Sequence, residues 1–335
     1  MKKRSLNFKL IAGGVLIVLI PILVIGIFSI TKASKSLEVL AKEQAINLAK
    51  DLANMTQLVL QEEVKLTREL SSTNAALAAA KAVDTVPSEQ AEEAIASLNA
   101  MLSRQMRDLG QDMESILVAD VNGIVFADGA DGKFKGMSLA DRDYFQTAKQ
   151  GTANVSTPIQ SKISGKPVAP VCAPIVSDTG KFLGAVTNVM KMEFLSEKIT
   201  AVKVGETGYP FMVDTTGLVI VHPNEAHVLQ TNLARLKGME AIMGRMLAQQ
   251  TGVESYFFEG IDKIAGYAPV PLTGWSIGVT QPAEEFLGAA YAIRNVIIGV
   301  GSIFLALTIL GVLFFARSIS KPITRAVEML NDGAE

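Results

Sequence analysis

The sequence predicts an α+β protein in which two transmembrane helices flank a domain of long helices and antiparallel strands. Three observations support this fold class. Two uninterrupted apolar blocks are long enough to cross a bilayer, one long stretch has helical periodicity, and two later stretches carry short β-branched runs between turn residues. At 335 residues, the chain is also too long for one ordinary domain.

The two apolar blocks are the predicted membrane spans. They occupy residues 10–30 and 295–315, and each approaches the roughly 20 residues that a helix needs to cross the hydrocarbon core. Basic residues flank both blocks on their outer sides, so residues 1–9 and 316–335 are predicted to be cytoplasmic. A cleaved signal peptide is the alternative for the first block, but its apolar core is too long. The sequence therefore predicts a two-pass protein of the inner or plasma membrane, with an extracytoplasmic (periplasmic or extracellular) domain.

Composition argues against several other classes of protein. The single cysteine, Cys172, excludes an intramolecular disulfide and a cysteine metal cluster. The only two histidines, His222 and His227, lack the helical spacing of a zinc motif, and the sequence has no phosphate loop or nucleophile elbow. A net charge of -2 gives no attraction to nucleic acid. We therefore expect no enzyme activity, no cofactor, no metal and no nucleic-acid partner.

A long amphipathic helix is predicted to leave the membrane. From Thr31 to about Ala80 the sequence has neither proline nor glycine, and apolar residues recur at three- and four-residue steps. Glu62 interrupts this stripe and is predicted to face solvent or a dimer partner. Val86-Pro87-Ser88 predicts a helix stop and a new N-cap, which opens a second helix to about Leu109. Residues 31–112 are assigned to this helical part.

Two strand-rich modules follow, at residues 113–200 and 201–290. In each module, short runs rich in Val and Ile are bounded by Gly, Asp and Asn, which is typical of strands. A short helix is predicted at residues 142–150, a helical link near 193–200, and a further helix around 236–249.

The two modules repeat each other. The stretch from Val118 to Val125 matches the stretch from Met212 to Val219, including an Asp-x-x-Gly step in each. Asp can start a turn through its side chain, and Gly accepts the positive backbone angle that a hairpin requires. We therefore interpret these steps as turns of a duplicated fold and not as catalytic groups.

Arg142-Asp143-Tyr144-Phe145 forms an Arg-x-aromatic-aromatic step between the predicted strands of the first module. This step resembles that of the membrane-distal module in the double-Cache sensory domains of bacterial chemoreceptors and sensor kinases. Residues 205–223 and 267–275 resemble the opening and closing strands of the membrane-proximal module, and Ser318-Ile319-Ser320-Lys321-Pro322-Ile323 resembles the start of a HAMP linker. The resemblance covers about Thr31 to Leu287. It implies two tandem PAS-like Cache modules in a receptor of the methyl-accepting chemotaxis protein type, truncated in the HAMP linker.

The resemblance also implies a ligand pocket in the membrane-distal module. In this family the arginine of the Arg-x-aromatic-aromatic step holds a carboxylate, because its planar fork of donors matches one. Arg142 is therefore the predicted anchor, and Tyr144 and Phe145 are predicted to shape the pocket. The alternative is a surface arginine that caps a helix or pairs with a neighbouring carboxylate, either Asp128, Asp141 or Asp143.

Family members that bind α-amino acids carry an ammonium cage that this chain lacks. The corresponding positions hold Met137, Ile159, Ser161 and Val189. A buried cation without acceptors is strongly disfavoured, which argues against free amino acids as ligands. Lys162 and Lys166 flank a Ser-Gly turn that is predicted to face the pocket, with Ser161 beside it. A second positive group there favours a small organic acid such as a dicarboxylate, whereas solvated hairpin lysines are the alternative.

Weaker candidates lie elsewhere in the two modules. Asn188 and Lys191 lie on the last distal strand, but the sequence leaves open which of them faces the pocket. In the proximal module, a second site is a candidate among the aromatic and histidine residues, although a satisfied core is the favoured interpretation. These residues are Tyr209, His222, Tyr256, Tyr267 and Trp275.

These expectations converge on a transmembrane chemoreceptor that dimerises with a second copy through its stalk helix. It is predicted to sense a small extracytoplasmic carboxylate in the distal module and to signal through HAMP to cytoplasmic domains or proteins. One alternative is the input portion of a sensor histidine kinase or cyclase. The other is a non-signalling membrane protein for adhesion or partner binding.

Overall fold

A computed structural model describes residues 6–85, 88–258 and 260–332. The predicted stop at Val86-Pro87 and the last three residues of the predicted HAMP segment lie outside this range. The chain divides into two compact units. One contains the segments up to Ala41 and from Ala283 onward, and the other extends from Lys42 to Pro282.

Seven α-helices and eleven strands form the described parts of the chain. The helices are α1 (Leu6–Ser71), α2 (Asn74–Thr85), α3 (Ser88–Leu109), α4 (Asp143–Lys149), α5 (Met192–Thr200), α6 (Glu240–Leu247) and α7 (Ala283–Asp332). The distal strands are β1 (Met113–Asp120), β2 (Val125–Asp128), β3 (Asn154–Val155), β4 (Ile159–Gln160), β5 (Pro167–Val176) and β6 (Phe182–Lys191). The proximal strands are β7 (Tyr209–Val213), β8 (Val219–Val221), β9 (Gly252–Phe258), β10 (Ile261–Val270) and β11 (Trp275–Pro282).

The first unit consists of apolar helical segments. Both α1 and α7 contain stretches long and apolar enough to cross a membrane, and almost none of the residues in the most apolar part of each stretch are buried inside the protein. Such exposure suits helices whose surrounding solvent is lipid. Pro21 lies inside α1 without ending it, because a helix in lipid can compensate locally for the missing hydrogen bond.

The stalk helix is shorter than predicted. α1 ends at Ser71 and α2 begins at Asn74, although the apolar periodicity continues to Leu77. Three consecutive hydroxyls, from Ser71 to Thr73, donate hydrogen bonds of 2.8–2.9 Å to backbone carbonyl oxygens of the preceding turn. The hydroxyl of Thr73 also accepts from the backbone N–H of Ala76 at 3.2 Å. These local bonds compete with the helix ladder and cap a new helix, so the prediction of one helix to Ala80 is wrong.

Glu62, the predicted interruption of the stalk stripe, is exposed to solvent as expected, and the residue after it carries a buried carboxyl. Glu62 is exposed and lies 3.8 Å from Lys65, whereas the neighbouring Glu63 is half-buried. Oε2 of Glu63 has no hydrogen-bond partner among the described residues. Burial and the nearby Asp112 carboxylate raise the pKa of Glu63 from its usual 4.5 to about 7. The packed face of α1 passes beside Glu63, through Thr56, Leu60, Val64 and Thr67.

The two modules share one topology. The distal sheet has the strand order β2-β1-β6-β5-β3, with β4 also paired to β5, and the proximal sheet has the order β8-β7-β11-β10-β9. All of these pairings are antiparallel. The fold is therefore α+β with two PAS-like modules, and the predicted duplication is confirmed.

The repeated turns have the predicted side-chain hydrogen bonds and glycine backbone angles. Oδ1 of Asp120 accepts two backbone N–H bonds, at 2.9 and 2.8 Å, and Oδ1 of Asp214 does the same at 2.8 and 2.9 Å. Gly123 and Gly217 have φ of +80° and +85°, in the left-handed region that favours glycine. Both Asp-x-x-Gly steps are therefore structural.

Three apolar cores position the candidate site. One core joins Leu52 and Leu60 of α1 to Met190 of the distal sheet and Trp275 of the proximal sheet. A second core packs α2 and α3 on the same face of the distal sheet, where Val186 lies. The opposite face of the distal sheet carries α4.

Candidate ligand-binding site

The face of the distal sheet that carries α4 is the candidate site. Tyr144 and Phe145 lie in the first turn of α4 and are buried. The Phe145 ring meets Phe182 edge to face, with 6.0 Å between ring centroids. Both residues share one apolar cluster with Cys172 and Val189 of the sheet. The predicted aromatic pair therefore forms the apolar wall between helix and sheet.

Arg142 lies next to this wall, at the N-cap of α4. Its backbone is extended, with φ -88° and ψ 130°, and its side chain is 28% exposed. Within the described residues its one ion pair is long, with 3.8 Å from Nε to Oδ1 of Asp141. Burial raises the pKa of the Tyr144 hydroxyl to about 12, and the positive charge of Arg142 opposes that rise because it lies nearby. Arg142 is thus half-buried beside Tyr144, with only a weak internal partner.

Asp128 is not that partner, because its carboxylate organises the loop before Arg142. Oδ1 accepts from the backbone N–H groups of Ala130 and Gly132 at 2.8 and 3.0 Å, and Oδ2 accepts from Phe134 at 2.7 Å. Asp128 is fully buried. A carboxylate with three backbone donors is satisfied without a guanidinium, so the predicted alternative of an Asp128 pair loses its support.

The four positions that replace the ammonium cage do not all behave alike. Met137, Ile159 and Val189 belong to the same apolar cluster as Tyr144. The fourth, Ser161, is buried and donates a 2.5 Å hydrogen bond to Oε2 of Glu114. Its hydroxyl also accepts from the backbone N–H of Ile163 and Ser164, at 2.9 and 3.2 Å.

Lys166 has a partner away from α4. Its ammonium bonds both carboxylate oxygens of Glu193 in α5, at 2.9 and 3.2 Å. It lines a cleft of about 340 Å³ together with His222 and Glu225 of the proximal module. Lys162 is exposed in the turn between β4 and β5. Lys166 pairs with Glu193 at the surface and Lys162 is exposed, so both lysines fit the alternative of solvated hairpin residues.

Asn188 lies on the wrong face of the sheet for the predicted pocket. Val189 packs in the cluster of α4, whereas Val186 and Met190 pack in the cores of the stalk and helices. Because side chains alternate along a strand, Asn188 faces the stalk with Val186 and Met190. Its side chain is fully buried, and neither amide atom has a partner in the described part of the chain. Of the two candidates on β6, Asn188 therefore does not face the α4 side, whereas Lys191 lies on that face through its pairing with Val168.

Two polar residues at the start of β1, Glu114 and Ser115, were missed by the sequence analysis. Ser115 pairs with Val189 across β1 and β6, so the two side chains share one face. The Ser115 hydroxyl and Oε1 of Glu114 are buried without a hydrogen-bond partner among the residues described. The strand register shifts between Met113 and Ser115, and this bulge removes Glu114 from simple alternation. A charged residue at the start of a buried strand was the signal available in the sequence.

The proximal candidates form a packed aromatic group. The Tyr209 and His222 rings are 4.9 Å apart, and the Tyr256 hydroxyl lies 2.6 Å from Oγ1 of Thr280. Tyr267 is buried and does not line the cavity among the others. That cavity measures about 20 Å³, which is room for roughly one water molecule. The group therefore fits the favoured interpretation of a satisfied core, and Trp275 belongs to the core shared with α1.

Comparisons with known sequences agree on one family. The profile of the Cache domain family (dCache_1) matches residues 32–290. The methyl-accepting chemotaxis protein TlpA of Bacillus subtilis strain 168 is 24% identical over 348 residues, covering 99% of this chain and 48% of TlpA. McpB of the same strain is 25% identical over 338 residues, covering 98% of this chain and 46% of McpB. The chain thus spans about half the length of the curated relatives it matches.

Solved structures share the fold. The ligand-binding domain of the Pseudomonas fluorescens chemoreceptor CtaA, in complex with L-serine, aligns with a TM-score of 0.55 at 19% identity, over 74% of this chain and 99% of that domain. The extracellular domain of mmHK1S-Z2, described as a histidine kinase, aligns with a TM-score of 0.58 at 19% identity, over 74% and 99%. The family match covers both modules and the stalk from residue 32 onward. This chain belongs to the Cache domain family and is homologous to methyl-accepting chemotaxis proteins of Bacillus.

Proposed function

We propose that this chain is the sensory portion of a transmembrane chemoreceptor. Its family, its chemotaxis relatives and the two apolar helices around the Cache modules support this assignment. Basic residues outside both apolar blocks favour cytoplasmic termini and extracytoplasmic modules. The chain senses a ligand with the modules and passes the signal through its HAMP-like segment to cytoplasmic domains or proteins.

The ligand carries a carboxylate that Arg142 binds in the distal module. The observation that carries this assignment is the position of Arg142, half-buried beside Tyr144 and with only a 3.8 Å contact to Asp141. A guanidinium in an apolar setting attracts a carboxylate more strongly than it does in water. The solved CtaA domain, which has the same fold, is in complex with L-serine, a ligand that has such a group. One carboxylate suffices, because Lys166 already pairs with Glu193.

Signalling requires that the ligand favour one arrangement of a dimer over another. The chain pairs with a second copy through the stalk, and ligand binding shifts the balance between two packings of that pair. Such a shift is limited by the difference in ligand affinity between the two states, which for allosteric coupling is about 1–3 kcal/mol.

A second candidate is the input portion of a sensor histidine kinase. One solved neighbour of the same fold is described as a histidine kinase. The ligand site would be the same, and the difference would lie in the cytoplasmic output.

The test is isothermal titration calorimetry on the full chain in lipid nanodiscs. Small monocarboxylates, dicarboxylates and amino acids are titrated against the unmodified chain, Arg142→Ala and the exposed control Arg235→Ala. We expect binding of a carboxylate that weakens about 10–100-fold in Arg142→Ala, since a hydrogen-bonded charge contact is worth about 1.5–3 kcal/mol. The control should bind normally. Absence of binding across the panel would favour the partner-binding alternative.

A further inference from the structure

The stalk helix α1 rests on the proximal sheet through a close backbone contact. A side chain at Gly266 of β10 would overlap the backbone atoms of Ala45 and Ile46, so glycine is needed for the observed approach of strand and helix. Further along α1, the backbone N–H of Leu272 donates to Oε1 of Gln57 at 2.9 Å. We call residues 45–57 of α1, together with their partners in the β10–β11 hairpin, the proximal seat.

Apolar side chains fill the proximal seat. Ala49, Leu52 and Ala53 are buried and belong to one core with Trp275 and Ile277 of β11. None of the described side chains in residues 45–57 holds a buried polar atom without a hydrogen-bond partner. A closely packed contact with satisfied polar groups resists displacement. The proximal seat is therefore a fixed point for α1.

A second segment of α1 runs along β6 of the distal sheet. Leu60 shares a core with Met190, and Leu70 shares one with Val186 of the same strand. The helix rises about 15 Å between these two leucines, and the strand covers about 13 Å between Val186 and Met190. Asn188, which faces the stalk, thus lies opposite the middle of this segment. We call residues 60–70 of α1, together with β6, the distal seat.

The distal seat contains buried polar groups that the proximal seat lacks. Oε2 of Glu63 and both amide atoms of Asn188 have no hydrogen-bond partner in the described part of the chain. The nearby Asp112 carboxylate also repels an ionised Glu63. Burial of polar groups without partners costs free energy. Positions of α1 that pair these groups, or that return Glu63 to water, therefore compete with the observed one.

We propose that α1 pivots about its contact with Gly266, so that the helix moves over the distal sheet at Glu63 while it stays fixed on the proximal sheet at Ala45. The helix is unbroken between these two residues and about 27 Å long there, so a tilt of about 5° moves Glu63 by roughly 2 Å. This motion goes beyond the proposed function, because it follows from the contacts of α1 alone.

Distances between paired spin labels measure the motion in the full chain in lipid nanodiscs. The native thiol of Cys172 is buried, so labels attach to introduced cysteines. One pair reports on the distal seat, with Lys65→Cys in α1 and Lys149→Cys in α4, and the other on the proximal seat, with Lys50→Cys in α1 and Ala241→Cys in α6. All four positions are exposed. We expect the distance distribution of the distal pair to be at least about twice as wide as that of the proximal pair.

Two sets of variants assign the motion to the two seats. Glu63→Leu combined with Asn188→Leu removes the unpaired polar groups, and should narrow the distal pair to the width of the proximal pair. Gly266→Ala forces strand and helix apart and should lengthen the proximal distance by about 1–2 Å. Gly244→Ala is the matched control, since a side chain there meets no atom within 4 Å, and should leave both pairs unchanged.

Three outcomes would overturn the inference. Equal widths of the two pairs in the unmodified chain would mean that a water or an ion satisfies Glu63 and Asn188 and holds α1 in one position. A distal pair that stays wide in the double variant would separate the motion from these polar groups. A proximal pair wider than the distal pair would remove the fixed point from Gly266. Every measurement is made without ligand, so none of these outcomes bears on whether Arg142 binds a carboxylate.

Discussion

The distal and proximal modules have the same strand order, yet their buried polar groups differ. In the proximal module the Tyr256 hydroxyl meets Thr280 at 2.6 Å, and the Ser276 hydroxyl donates to the Met246 carbonyl at 2.8 Å. In the distal module Oε1 of Glu114, the Ser115 hydroxyl and both amide atoms of Asn188 have no described partners. Satisfied polar groups stabilise a fold, whereas a buried group without a protein partner can take its missing hydrogen bond from a water, an ion or another molecule. One topology therefore serves as a packed core in one copy and as a candidate site in the other.

The buried polar side chains of the distal module do not all lie on the same face of its sheet. Ser115 faces α4 with Val189, and the bulged Glu114 bonds Ser161 at the same end of the sheet. Asn188 faces the stalk with Val186 and Met190. Ser115 therefore lies on the face of the candidate site, and Asn188 bears on the packing of α1.

The largest expected effect tests whether the interior of the proximal module is a packed core and not a ligand site. Trp275 is 1% exposed, within the core shared by α1 and both sheets. Trp275→Ala should lower the free energy of unfolding by about 3–5 kcal/mol, through lost burial and a cavity. Thermal or denaturant unfolding of the chain in nanodiscs measures it, with the exposed Phe257→Ala as control. A stable Trp275→Ala that loses ligand binding would instead make the proximal module a site and contradict the comparison.

The next largest effect concerns Glu63 of the stalk. Like the distal polar atoms, its Oε2 is buried without a described hydrogen-bond partner. Its pKa is raised to about 7 in the folded chain, chiefly by burial and also by Asp112. The unfolded chain releases this proton near pH 4.5 and the folded chain only near 7, so the contribution of Glu63 to stability is greatest below 4.5, falls as the pH rises through this window, and levels off above it. Glu63→Gln should abolish this dependence and stabilise the chain by about 2 kcal/mol above pH 7.

Melting temperatures at a series of pH values from 4 to 8 measure the Glu63 effect. The exposed neighbour Glu62→Gln is the matched control and should retain the fall in stability. A pH profile of Glu63→Gln identical to that of the unmodified chain would show that Glu63 ionises normally in the folded state.

The smallest expected effect is a change of stability in two variants, one on β6 and one on β11. These strands occupy the same central place in the two sheets. Asn188→Leu removes two buried atoms without described partners and should stabilise the chain by about 1 kcal/mol. Thr280→Val deprives the Tyr256 hydroxyl of its partner and should destabilise by about 1 kcal/mol. Chemical denaturation of both variants measures the two signs. Equal signs would remove the distinction between the modules.

The fold could be predicted largely from local patterns. The Asp-x-x-Gly turns at Asp120 and Asp214 need only short-range bonds, so their spacing along the chain is enough to indicate the duplication. The end of α1 could not be read from periodicity, because Leu70 and Leu77 continue the stripe across it. Hydroxyls at Ser71 to Thr73 decide that boundary through bonds to the backbone.

Only the part of the candidate site that lies within a recognisable sequence motif could be predicted. Arg142, Tyr144 and Phe145 lie together as the motif implied, although their role in binding stays a prediction. The partner of Lys166 is Glu193, far along the chain, and a single sequence does not reveal such pairing. The burial of Glu114 could not be predicted, because a bulge beside it interrupts the two-residue alternation from which the faces of a strand are predicted.

The shared core has a practical consequence for dividing this chain. Met113, Ala169 and Met190 of the distal sheet bury their side chains against the same cluster as Met212 and Ile277 of the proximal sheet. A fragment ending at Thr200 would leave the distal methionines facing water and would favour aggregation. The smallest fragment that keeps this interior closed begins in the stalk and includes both modules. Each module thus depends on the other for solubility.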